Sequence, residues 1–106
     1  MREMKAVSLR VRKIYFDKIV AGTKRIELRK DSPFWRKRLW EGEPVSTATF
    51  VCGKQVHRRW VVGISLGRPE NFLGKPLSEQ GKKDIPTEYC FGIYLGDVVK
   101  KEEVEI

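Results

Sequence analysis

Residues 15–29 read YFDKIVAGTKRIELR, a helical pattern handed to a strand pattern through a single glycine. Tyr15/Ile19 and Phe16/Val20 are i,i+4 pairs, the spacing of one helix face, and the pattern runs from Lys13 to Ala21. Gly22 stands where a helix turns into the left-handed region and stops. Beyond it, Ile26 and Leu28 alternate with Arg25, Glu27 and Arg29, so Thr23–Lys30 is read as a strand with its apolar residues on one face.

The neighbouring segments extend this helix–strand unit in both directions. Upstream, Lys5–Leu9 is a strand with Val7 and Leu9 on its buried face. Downstream, Ser32-Pro33 places an N-cap before a proline at the first helical position, opening a short helix to Leu39. Gly42 and Pro44 lead into a long hairpin, with arms Val45–Cys52 and Val56–Leu66 around a turn at Gly53-Lys54-Gln55. In the second arm Trp60, Val62, Ile64 and Leu66 share a face. Residues 67–88 read as a long irregular segment with a short helix near Ser78–Asp84. Tyr89–Val99 is the last strand, with Phe91, Ile93 and Leu95 on one side. Gly92 and Gly96 lie on the other, where a neighbour can approach closely. Five strands with two or three short helices, not alternating regularly with them, imply an α+β, mainly β, chain folded as a small mixed barrel. Closure is expected because an open sheet of such strands exposes two long edges.

The chain of 106 residues fits one domain, 1–106. Its 41% apolar content supports a core despite 34% charged residues. No run approaches the ~20 apolar residues of a membrane span. The opening MREMKAVSLRVRK lacks a secretory h-region, so a cytoplasmic address is expected. Cys52 and Cys90 make neither a disulfide framework nor a zinc pattern and are read as small buried hydrophobes, bonded only if the strands bring them together. His57 is the only histidine, so no metal site and no cofactor is expected, and its place after the hairpin turn reads as exposed. Amide side chains are confined to Asn71, Gln55 and Gln80 amid dense Lys, Arg and Glu, the bias of thermostable proteins.

Charge is placed unevenly. The net +8 divides into 16 Lys/Arg against 6 Asp/Glu in residues 1–60, a balance of +10, and a balance of −2 in residues 61–106. A field of this kind attracts polyanions by counterion release. Phe34-Trp35-Arg36-Lys37-Arg38-Leu39-Trp40 interleaves aromatics with cations, the pattern in which bases stack while cations meet phosphates. Arg36, Lys37 and Arg38, joined by Arg58 and Arg59 beyond the hairpin turn, are therefore the candidate nucleic-acid contacts.

Gly22, Lys24, Glu27 and Arg29 form G-x-K-x-x-E-x-R. Glu27 and Arg29, two apart on a strand, point to one side. Lys24 joins them only if it lies in the helix-to-strand turn, ahead of regular strand geometry; otherwise the run is a solvated charged face. Ser8 and Thr23 are near in sequence, but neither sits in a nucleophile elbow.

The stretch YFDKIVAGTKRIELR resembles the helix–strand signature of ASCH domains, a PUA-like group. Gly42-Glu43-Pro44-Val45 and the final strand ending Gly96-Asp97-Val98-Val99 resemble later steps of the same family. The resemblance implies a PUA-like barrel and an RNA or nucleotide partner. It also implies a cleft lined by Gly22, Lys24, Glu27 and Arg29. One branch of the family deacetylates acetylated cytidine with a lysine and a threonine nucleophile. Glu27 holds the threonine's position here, and that branch's later glutamate has no clear counterpart, Glu70 and Glu88 being merely available. Some related proteins are ribonucleases. Two readings follow: a binding module, or a hydrolase in which a desolvated Lys24 is the base and Glu27 orients water.

Overall fold

The computed structural model describes residues 5–100; the first four residues of the leader reading lie outside them. The elements run β1 Lys5–Arg10, α1 Lys13–Ala21, β2 Ile26–Lys30, α2 Pro33–Leu39 and β3 Val45–Cys52. There follow β4 Gln55–Gly67, α3 Pro69–Leu73, α4 Glu79–Asp84 and β5 Cys90–Val98. The result is a curled, mixed, barrel-like sheet of five strands with four short helices, α3 being the one absent from the sequence reading.

Local chemistry accounts for the boundaries. Gly22 adopts φ 83°, and the turn beyond α1 is closed by bonds from the Gly22 N–H to the Ile19 carbonyl and from the Thr23 N–H to the Lys18 carbonyl. Ser32 caps α2 by accepting from the Trp35 N–H at 3.3 Å. The two-residue turn Gly53-Lys54 joins the hairpin, with Gln55 already in β4.

The strand order is β1-β3-β4-β5-β2, with β1 and β3 parallel and the other pairs antiparallel. Val7, Leu9, Phe16, Ile19, Ala48, Phe50, Phe91, Ile93 and Leu95 meet inside the curl. The expected four-residue face of β4 is not kept. Register shifts between Arg59 and Gly63 break the alternation, so Val61 and Ile64 pack on the core while Val62 is 76% exposed.

No ladder joins the two edge strands, β1 and β2, so the expected closure is incomplete. The seam is spanned instead by a side chain: Arg29 Nη2 donates to the Arg10 carbonyl at 3.0 Å. Beside it α2 inserts Leu39 into the core and rests Trp35 against it. On the outer face of β5, Gly92 makes room for Phe72 of α3, which the absence of a side chain there permits.

Candidate functional site

Cross-strand partners project to the same side of a sheet. Glu27 lies opposite Ile93 and Arg29 opposite Phe91, and both partners are fully buried. The charged residues of β2 therefore face inward, and Ile26 and Leu28, expected to form the apolar face, lie on the other side beside Tyr94 and Gly92. The charged face is not solvated: the Glu27 side chain is only 8% exposed.

That carboxylate is bracketed by two cations. Arg29 donates to Glu27 Oε2 from Nη2 at 2.7 Å and from Nε at 3.1 Å, a planar fork on one oxygen. Lys24 Nζ stands 3.4 Å from Oε1 and donates to the Ile26 carbonyl at 3.0 Å. Lys24 reaches Glu27 because β2 begins only at Ile26, which leaves Lys24 in the turn. The turn is pinned by the Lys18 carbonyl, which accepts from the backbone N–H of Thr23 and of Lys24 and from Thr23 Oγ1. Gly22 thus acts by shaping the turn that delivers Lys24.

Aromatic rings flank the triad. Lys24 Nζ lies 5.5 Å from the centroid of Tyr15 on α1, and the Arg29 guanidinium 5.0 Å from that of Trp35 on α2. Lys24 and Arg29 each keep about one-fifth of their side-chain surface exposed, 20% and 19%. The site is a dry carboxylate between two partly wetted cations, at the open seam of the sheet.

The other candidates separate by role. Arg36 forms a fork on Asp31 at 2.8–3.2 Å and lies over Phe91, so much of its guanidinium is used within the fold. Arg38 stacks on Phe34 at 3.5 Å, while Lys37 is exposed. Arg58 is exposed on β4. Arg59 turns inward and donates to the carbonyls of Ile19, Val20 and Gly96, holding the last turn of α1 against β4 and β5. The structure therefore brings Lys24, Glu27 and Arg29 together, leaves Lys37 and Arg58 outward, and gives Arg59 a place under the helix.

His57, expected to be exposed, is half-buried between the Phe16 ring and Arg59, and accepts from Arg59 Nε at 3.1 Å. Burial, and then the Arg59 charge, hold its pKa below the usual histidine value. The cysteines are free and lie by opposite ends of β4, with Cys52 paired to Gln55 and Cys90 to Gly67. Glu88 pairs with Arg68 at 2.7 Å, and Glu70 lies near Cys90, so neither meets the triad. Among the described residues no cluster of His, Cys, Asp and Glu could hold a metal, and no helix is long and apolar enough to cross a membrane.

The five-stranded mixed half-barrel with its four short helices has the form of a PUA-like barrel. Within that class the architecture is of the ASCH type. ASCH from Zymomonas mobilis superposes with a TM-score of 0.62 at 16% identity, covering 93% of this chain and 76% of that one. A serine-to-alanine mutant of the same protein gives 0.64 at 16% identity, over 97% and 79%. A tyrosine-to-phenylalanine mutant gives 0.63 at 16%, over 93% and 78%. No family model and no curated protein match the sequence.

Proposed function

We propose that the protein binds RNA or a nucleotide at the seam between β1 and β2, with Lys24, Glu27 and Arg29 as the ligand-binding groups. The observation that supports this reading above all is the Glu27 carboxylate, 8% exposed, between two cations that each stay about one-fifth exposed. A buried ionic triad is weak evidence for a stabilising role, since apolar packing of similar volume is often as stable or more so. Here the cations keep a wet side, and the triad carries a net positive charge within residues 1–60, whose balance is +10. Arg29 offers a planar fork to phosphate or a base edge, and Lys24 a point charge. Lys37 and Arg58 add outward cations within the same residues 1–60, with Arg38 exposed over Phe34. Partners, cytoplasmic address and thermal stability belong to this same proposal.

Hydrolysis of a modified nucleoside or of RNA is the competing reading. Lys24 Nζ is engaged within the fold by the Ile26 carbonyl at 3.0 Å and the Glu27 carboxylate at 3.4 Å, and no nucleophile is held against it. The nearby Thr23 hydroxyl is turned to the Lys18 carbonyl. Binding is thus the better supported of the two.

The test is anisotropy of a labelled single-stranded RNA from low to moderate salt, with mass analysis of the RNA afterwards. Affinity should fall with salt at a slope of about −0.7 per phosphate contact. Lys24→Ala and Arg29→Lys should weaken binding while the RNA mass stays constant. No retention at low salt ends the binding reading, and a change in mass moves the assignment to the hydrolase.

A further inference from the structure

Next to the triad, on the outer side of the seam, lies an open groove of about 310 Å³ lined by Ser8, Arg10, Arg29, Phe34, Trp35 and Val51. Its walls come from four elements. Ser8 and Arg10 are outward residues of β1, and Val51 lies opposite Arg10 on β3. Phe34 and Trp35 come from the first turn of α2, and Arg29 reaches in from β2.

The lining is chemically one-sided: two guanidinium groups, a hydroxyl, two aromatic rings and a valine, without a carboxylate. Arg29 uses Nε and Nη2 on Glu27 and the Arg10 carbonyl, and among the described residues none accepts from its Nη1. The two N–H donors on Nη1 of a fixed guanidinium are therefore left over where the groove begins. Phe34 is set edge-on to Trp35 at 4.9 Å and covered on one face by Arg38, yet stays 53% exposed. An aromatic of that size left open beside two cations suits a planar ligand carrying negative charge. The volume is at the lower end of ligand pockets, enough for one nucleotide unit and not for a folded RNA element.

We propose that this groove is a nucleoside-phosphate subsite, in which Arg10 and Arg29 hold the phosphate and the base lies against Phe34 and Trp35. Arg29 is the shared wall: one edge of its guanidinium is fixed by Glu27, and the Nη1 donors serve the phosphate. Glu27 therefore acts on this subsite by orienting Arg29. The inference rests on the RNA-or-nucleotide reading and narrows it, because it requires a phosphorylated ligand and disfavours a neutral nucleoside. A free nucleotide and the phosphorylated end of an RNA carry the same chemistry, and the experiment separates them.

Calorimetric titrations decide the matter, using four probes: a nucleoside monophosphate, its parent nucleoside, and one short single-stranded RNA with a 5′-phosphate or a 5′-hydroxyl. The phosphorylated member of at least one pair should bind at least about tenfold more tightly, the lower end for a hydrogen bond to a charged group. A preference within the mononucleotide pair identifies a free-nucleotide site; a preference confined to the RNA pair identifies an RNA-end site. Arg10→Met and Phe34→Ala alter exposed side chains and should keep the parental melting temperature. Each should remove most of that preference. If the RNA binds but neither pair shows a phosphate preference, or Arg10→Met leaves the preference intact, the groove assignment is wrong while the RNA-or-nucleotide reading stands. If none of the four binds, both fall together.

Discussion

Replacing Glu27 by glutamine keeps the shape of the side chain and removes its charge. In the parent, the carboxylate takes 2.7 Å and 3.1 Å bonds from Arg29 and faces Lys24 at 3.4 Å. The variant leaves two cations around a neutral amide whose oxygen can accept from only one of them, while its NH₂ end opposes the other. Breaking a fully buried pair on one side costs about 3–5 kcal/mol. Lys24 and Arg29 are each about one-fifth exposed and recover some hydration, so about 2 kcal/mol is expected here. For a domain of this size that is a fall of about 8–16 °C in melting temperature. Circular dichroism melts of Glu27→Gln should show it, with Asp17→Asn as the control. Asp17 pairs with Lys13 at 3.3 Å on an exposed helix face, and its loss should stay within about 0.5 kcal/mol. In a Lys24→Met, Arg29→Met background the cost of Glu27→Gln should shrink, because no stranded cations remain. A melting temperature for Glu27→Gln no lower than that of Asp17→Asn would refute the coupled triad.

Other parts of the fold give independent checks. His57 has a folded pKa depressed by burial and by Arg59, so the unfolded chain takes up the proton first. Stability should be full above about pH 6.5, the usual histidine value, and decline as pH falls through the lower folded value, a decline that urea titrations of His57→Gln should lack. Gly92→Ala would drive a Cβ into the ring of Phe72 and should cost about 1–2 kcal/mol in chemical denaturation; in a Phe72→Ala background the penalty should vanish. The Cys90 thiol is pushed up to about 11, first by burial and then by the Glu70 charge. A thiol reagent at neutral pH should therefore label Cys52 in the folded protein and reach Cys90 only on unfolding, and equal fast labelling would contradict its placement.

Much of this architecture could be read from local signals. The α1 boundaries, the Ser32 cap, the hairpin arms and the inward face of β5 all follow from spacing and turn chemistry, which act within a few residues. What escaped was set by tertiary contact. The inward direction of Glu27 and Arg29 comes from pairing with β5, and no pattern within Ile26–Lys30 distinguishes a charged inner face from a charged outer one. The register shifts of β4 moved Val62 outward against its alternation. α3, only five residues long, exists because Phe72 finds the floor cleared by Gly92. His57 and Arg59 looked like hairpin surface until α1 folded over them. The convergence of Lys24 with Glu27 was legible in one conditional form: it required the turn to last beyond Lys24, and β2 does begin at Ile26.

The central claim is that the ligand sits at the seam, and an NMR titration of isotope-labelled protein with a short single-stranded RNA addresses it directly. Saturable shifts should concentrate at the amides of Lys24–Lys30, Arg10, Phe34 and Trp35, and should weaken together as salt is raised. Shifts confined to the hairpin tip at Gly53 and Lys54, or an unchanged spectrum at low salt, would contradict the account.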